Sequence, residues 1–111
     1  MSSHGIKDRV AIVGMGCTKF GEHWNKNADD LLIESTTAAL NSAGVTKQDI
    51  DAYWVGTAMS GNSGMTVSRP LQLHNKPVTR VENFCATGLS CSCSGRETVI
   101  PDMPDIAVPT Q

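Results

Sequence analysis

Val78-Thr-Arg-Val-Glu-Asn-Phe-Cys85-Ala-Thr-Gly88 decides how the rest of this chain is read. Its first four residues are mostly β-branched and follow a turn signal, Asn75-Lys-Pro77, so they read as a strand. A polar pair and a run of small residues come next, and in a complete α/β unit Cys85 then stands on the turn between that strand and a helix. At such a turn, free backbone N–H groups and the helix dipole favour a thiolate, the form of cysteine that acts as a nucleophile. The competing reading is a small, buried, inert cysteine.

Upstream of this stretch the local signals agree with it. Tyr53-Trp-Val-Gly-Thr57 is another short aromatic and β-branched run, hence a strand, and Thr46-Lys-Gln-Asp49 before it reads as a capped single turn. A helix is expected after Asn27, which can cap it, with Asp29 and Asp30 set against the positive end of the dipole. Leu31, Leu32, Ser35, Ala39 and Ala43 fall on one stripe at helical spacing, and Gly44 suits the left-handed stop. Arg9-Val-Ala-Ile-Val-Gly14 is an apolar run ending at glycine, expected to be the first strand of a parallel sheet and buried on both faces. Residues 58–68, rich in Gly, Ser, Asn and Met, read as a loop, with Ser68 capping a short helix whose first turn holds Pro70. Met59 and Met65 in that loop suit an acyl pocket, a subunit contact or simple core filling.

Downstream the grammar changes. Pro101, Pro104 and Pro109 cannot continue a helix, and residues 89–111 are expected to be extended or disordered, leaving the sheet without its covering helix. The expected organisation is therefore a partial α/β domain over residues 1–88 followed by a tail over residues 89–111.

Composition narrows the function. With 111 residues, 40% of them hydrophobic and 18% charged, the chain has the makings of one packed domain. No apolar run approaches the ~20 residues of a membrane span, and the first residues lack a secretory pattern, so a cytoplasmic location is expected. Net charge is −2 with Lys and Arg scattered singly, which argues against a nucleic-acid partner. The four cysteines are expected to be thiols, and Cys91-x-Cys93 falls short of the four ligands of a zinc site, so no metal is expected. Gly14-x-Gly16 invites a dinucleotide fingerprint, but Lys19 stands where the third glycine belongs and no helix opens there. Cys17, His23 and His74 sit in loop sequence with no partner pattern around them.

The run Arg80-Val-Glu-Asn-Phe-Cys85-Ala-Thr-Gly88 closely resembles the nucleophile segment of the thiolase superfamily, V-E-N-x-C-A-[ST]-G, in the branch of acetyl-CoA acetyltransferases and sterol-carrier-protein thiolases. Residues 10–21 resemble the opening strand and loop of that branch, and Tyr53-Trp-Val-Gly-Thr57 its second strand. The resemblance implies an α/β fold, here the N-terminal βαβ portion of a thiolase-like fold with an irregular tail. It implies that Cys85 is the catalytic residue, taking an acyl group from a coenzyme A thioester as a covalent thioester intermediate. Gly88 resembles the glycine that lets the backbone turn beside that cysteine, and Asn83 is a candidate to orient the segment. The substrate is acyl-CoA, with no separate cofactor, and a homodimer is expected of the full-length family, with an accessory subunit as a further partner. In the family the activating histidines, the second cysteine and much of the oxyanion hole come from later sequence. Leu89-Ser-Cys-Ser-Cys-Ser-Gly95 departs from the long Ala-rich helix of the family, as a frame shift or premature end after residue 88 would produce. Two other functions remain in view: a non-catalytic binding or assembly subunit, and a truncated product without activity.

Overall fold

The computed structural model describes residues 10–57, 61 and 63–94 in full, and the backbone of residues 95–99 and 107–110. The first element, helix α1 (Ala28–Ala43), begins and ends where the sequence signals it. The Asn27 side chain accepts from the Asp30 N–H at 2.9 Å, and Asp30 in return accepts from the Asn27 N–H at 3.1 Å. This reciprocal cap satisfies two otherwise orphaned donors and contributes ~1 kcal/mol. Gly44 closes the helix at φ 71°, a left-handed conformation that glycine takes without steric cost. A single 3-10 turn over Lys47–Asp49 follows, capped by Asp49. The Thr46 N–H and then the Thr46 hydroxyl donate to its carboxylate, and together they hold that carboxyl below the usual range.

Strand β1 (Ala52–Gly56) is buried along its whole length and lies at the centre of a three-stranded sheet. Its neighbours are β2 (Val78–Val81) and β3 (Ala107–Thr110), both parallel to it. The register sets Tyr53 beside Val78 and Gly56 beside Val81 on one side, and Ala52 beside Ala107 on the other. Side chains alternate across the sheet as the two-residue period requires. Tyr53 and Val55 pack with Ile50, Val67 and Leu71 on the face that receives Leu32 and Leu40 of α1. Val67 belongs to α2 (Met65–Ser68), the short helix between β1 and β2. Ala52 and Trp54 point the other way and pack on Cys91 of α3 (Thr87–Val99). Each fully buried aliphatic side chain in these two layers stabilises the fold by ~1.5–3 kcal/mol.

Three expectations are corrected. Residues 10–14 form no strand, and Arg9 lies outside the described residues. In the described sheet these residues pair with no strand, so they lack the ladder partner that a strand requires. The segment lies against α1 instead, where Gly14 and Gly16 bring backbone onto helix backbone. A Cβ on Gly16 would stand 2.3 Å from the Ser35 carbonyl oxygen, and one on Gly14 would stand 2.7 Å from that of Ala39. The apolar side chains expected to be buried on both faces are open to solvent, Ile12 at 92%.

The short helix near Pro70 is Met65–Ser68, so it ends at Ser68, where a start was expected, and Pro70 follows in the turn after it. The largest correction concerns residues 89–111. Thr87–Val99 is a 13-residue helix that covers one face of the sheet, and Ala107–Thr110 is a strand. The prolines explain how both fit: no proline lies between residues 87 and 99, and Pro109 stands on an edge strand, where its missing N–H is tolerated. Residues 100–106 and 111, also part of the expected tail, lie outside the described residues.

Candidate functional site

In open parallel sheets, ligands bind beyond the carboxyl ends of the strands. Here those ends are Gly56 of β1 and Val81 of β2, set side by side. From Val81 the chain runs through Glu82 and Asn83 into a 3-10 turn over Phe84–Ala86, and α3 starts at the next residue. Cys85 is the middle residue of that turn, and its thiol is exposed. The strand-to-helix placement read from the sequence is therefore what the structure shows, while the inert, buried alternative fits Cys91, which is 1% exposed under the sheet.

The turn is held in a costly shape. Phe84, the residue before Cys85, has φ 45°, a conformation that costs a bulky residue ~1–3 kcal/mol unless its surroundings impose it. Both backbone groups of Phe84 are tied down. Its N–H donates to the Glu82 carboxylate at 2.8 Å. Its carbonyl accepts from the Thr87 N–H and from the Thr87 hydroxyl, the latter at 2.7 Å. The same Thr87 oxygen accepts from the Asn83 N–H at 2.8 Å, and the Asn83 side chain donates to the Ser90 hydroxyl at 3.3 Å. Gly88 lies inside α3 without a positive φ. The tight turning that the resemblance gives to Gly88 therefore falls on Phe84.

Neighbouring residues tie the carboxyl ends of β1 and β2 together. Arg80 donates from Nε to the Thr57 hydroxyl at 2.9 Å and from Nη2 to the Thr57 carbonyl at 3.1 Å, and the Thr57 hydroxyl donates on to the Gly61 carbonyl at 3.1 Å. Gly56 leaves room for the Thr87 methyl group, which a Cβ at that position would meet at 2.6 Å. Sequence reading picked out Asn83 and Cys85 but not Glu82, Thr87, Arg80, Thr57 or Gly56. A Ser/Thr at the start of a helix, able to bond the turn before it, was the available signal for Thr87.

Chemically, the arrangement offers an accessible sulfur nucleophile at the head of a helix, on a stiffened turn. Among the described residues no hydrogen bond reaches its Sγ. The other sequence candidates stay apart from it. Cys17 is exposed and donates to the Thr18 carbonyl at 3.2 Å, and the His23 ring bonds the Lys19 carbonyl at 2.6 Å. His74 is exposed, as is Met65, while Met59 lies outside the described residues. Among the described residues no group of three or more His, Cys, Asp or Glu could hold a metal ion. No helix among them is long and apolar enough to cross a membrane. A hollow of about 170 Å³ between α1 and the chain after α2, lined by Ile33, Leu40, Lys47 and Leu71, does not include Cys85.

Comparison with known proteins gives a consistent result. The thiolase N-terminal domain model matches residues 10–109. Acetyl-CoA acetyltransferase of Methanocaldococcus jannaschii is 36% identical over 85 residues, covering 71% of this chain and 22% of that protein. Its counterpart in Methanothermobacter thermautotrophicus is 33% identical over 105 residues, 89% of this chain and 27% of that protein. The chain thus spans about a quarter of the length of the curated relatives it matches. Among solved structures, 3-oxoacyl-[acyl-carrier-protein] synthase III of Aquifex aeolicus superposes with a TM-score of 0.54 at 9% identity, covering 63% of this chain and 24% of that one, a likeness of fold. A family match over residues 10–109, joined to a parallel sheet that delivers a cysteine to the head of a helix, makes this chain a member of the thiolase N-terminal domain family, related to the acetyl-CoA acetyltransferases.

Proposed function

We propose that the chain supplies the nucleophile of a thiolase-type acyltransferase, with Cys85 as the catalytic residue and acyl-CoA thioesters as substrates. The observation that carries this reading is the exposed thiol on the strained turn between β2 and α3, beyond the carboxyl ends of two parallel strands.

The Cys85 thiolate attacks the thioester carbonyl carbon, its proton having passed to solvent. The tetrahedral adduct expels coenzyme A thiolate, which takes up a proton, and the acyl group remains on Sγ as a thioester. A second acceptor then removes the acyl group and restores the thiol, so one difficult transfer becomes two easier ones. The chemistry needs no metal and no prosthetic group, since coenzyme A arrives as the carrier of the acyl group. The same reading carries a homodimer in the cytoplasm as the working form of the full-length enzyme.

Intact-mass spectrometry after brief exposure to acetyl-CoA at neutral pH tests it. The expected result is one acetyl group, mapped to Cys85 and absent from a Cys85→Ala variant. Equal labelling of the exposed Cys17, or no label at all, overturns it.

The exposure of Ile12, Met15, Phe20 and Trp24 favours a second reading, a non-catalytic binding or assembly subunit. That reading predicts no adduct on Cys85 together with a stable complex in which those residues are protected.

A further inference from the structure

We infer that Thr87 is a positioning residue for Cys85: its hydroxyl sets the shape of the turn that carries the thiol, and its methyl group sets where that turn sits on the central strand. The inference rests on the reading of Cys85 as nucleophile. Thr87 is 3% exposed, so its hydroxyl has no water to fall back on, yet both of its hydrogen-bonding roles are filled. It accepts from the Asn83 N–H and donates to the Phe84 carbonyl. Those groups belong to the two residues just before Cys85. One side chain therefore clamps the peptide units whose rotation aims the sulfur, including the one that has φ 45°. The Phe84 carbonyl would keep the Thr87 N–H if the hydroxyl were lost, whereas the Asn83 N–H would lose the acceptor that fixes its direction. The methyl group has a separate task. It fills the space that Gly56 leaves, at the carboxyl end of β1, so the height of the turn over the sheet is fixed by a contact and its shape by two hydrogen bonds.

Serine keeps the hydroxyl and removes the methyl group, and valine does the reverse, so the two functions separate cleanly. The experiment uses the full 111-residue chain as wild type, Thr87→Ser and Thr87→Val. Iodoacetamide alkylation is followed by mass spectrometry across pH, with the exposed Cys17 of the same molecule as the internal reference.

Thr87→Ser, which loses only the methyl contact, is expected to shift the Cys85-to-Cys17 rate ratio by about two- to threefold, a smaller change than that of Thr87→Val. Thr87→Val is expected to change that ratio by about five- to tenfold, the weight of one or two lost hydrogen bonds. It should also move the pH midpoint of Cys85 alkylation and leave that of Cys17 alone. A general loss of packing would not single out Cys85 in this way.

The idea is overturned if Thr87→Val reacts like wild type, or if Thr87→Ser is disturbed as much as Thr87→Val. Should the valine variant fail to fold, hydrogen exchange of the Asn83 amide in the wild type decides: protection supports the clamp, and exchange at the rate of an open loop overturns it. None of these readings requires acyl transfer. An acetyl-CoA result that removes the proposed function therefore leaves the clamp separately testable.

Discussion

Two stretches of this chain have nearly the same sequence character and opposite fates. Residues 10–14 and Val78–Val81 are both short runs rich in β-branched residues, and the first is the more apolar of the two. The second is a strand and the first is not, because Val78–Val81 has β1 as a neighbour while residues 10–14 lie on a helix. Strand propensity measures how well a side chain fits a pleated, half-buried surface. Whether the surface is there depends on what the rest of the chain has already placed beside it. The difference extends to order: around Cys85, hydrogen bonds from Glu82, Asn83 and Thr87 close the turn, whereas near residue 12 the apolar side chains face solvent.

Three substitutions strain that comparison, in descending order of effect. Tyr53→Ala removes the largest fully buried side chain of the central strand and should cost ~3–5 kcal/mol in urea denaturation, enough to unfold a marginal domain. A loss under ~1 kcal/mol would mean that β1 is not the core of the molecule. Gly56→Ala puts a methyl group 2.6 Å from Thr87 Cγ2 and should destabilise by ~1–3 kcal/mol while altering the alkylation rate of Cys85. If only stability moved, the link between the sheet and the cysteine turn would fail. Ile12→Ser should change stability by no more than ~0.5 kcal/mol, since the side chain is 92% exposed. A larger loss would show that residues 10–14 are held more firmly than their exposure implies, and the contrast with Val78–Val81 would narrow.

What could be read from sequence were features with a local physical cause. Asn27 and Gly44 bound α1 because capping and the left-handed stop depend on neighbouring backbone. Thr46 and Asp49 form their turn for the same reason. The position of Cys85 followed from a strand that ends and a small-residue run that begins. The largest misses depended on partners distant in sequence. Residues 89–99 carry Ser, Cys and Gly, with no strong helix preference and no clear apolar stripe, and only the sheet under Cys91 makes a covering helix there worthwhile. Pro109 reads as a breaker until it is known to lie on an edge. Glu82 and Thr87 read as ordinary polar residues until Phe84 is seen to need both of them.

The parallel order β2-β1-β3 also bears on how the chain is made. During synthesis β1 emerges early and finds β2 after one short excursion, but its other edge waits for residues 107–110, which arrive only after all of α3. Throughout that interval the most apolar strand of the molecule presents a row of unpaired N–H and C=O groups to its surroundings. Loop closure over such a span is slow, and open strand edges recruit other chains. The rate at which α3 folds down and brings β3 alongside therefore sets how long the nascent protein remains prone to aggregate, and a chaperone would find its binding motif in the segment that later becomes the best-protected part of the fold.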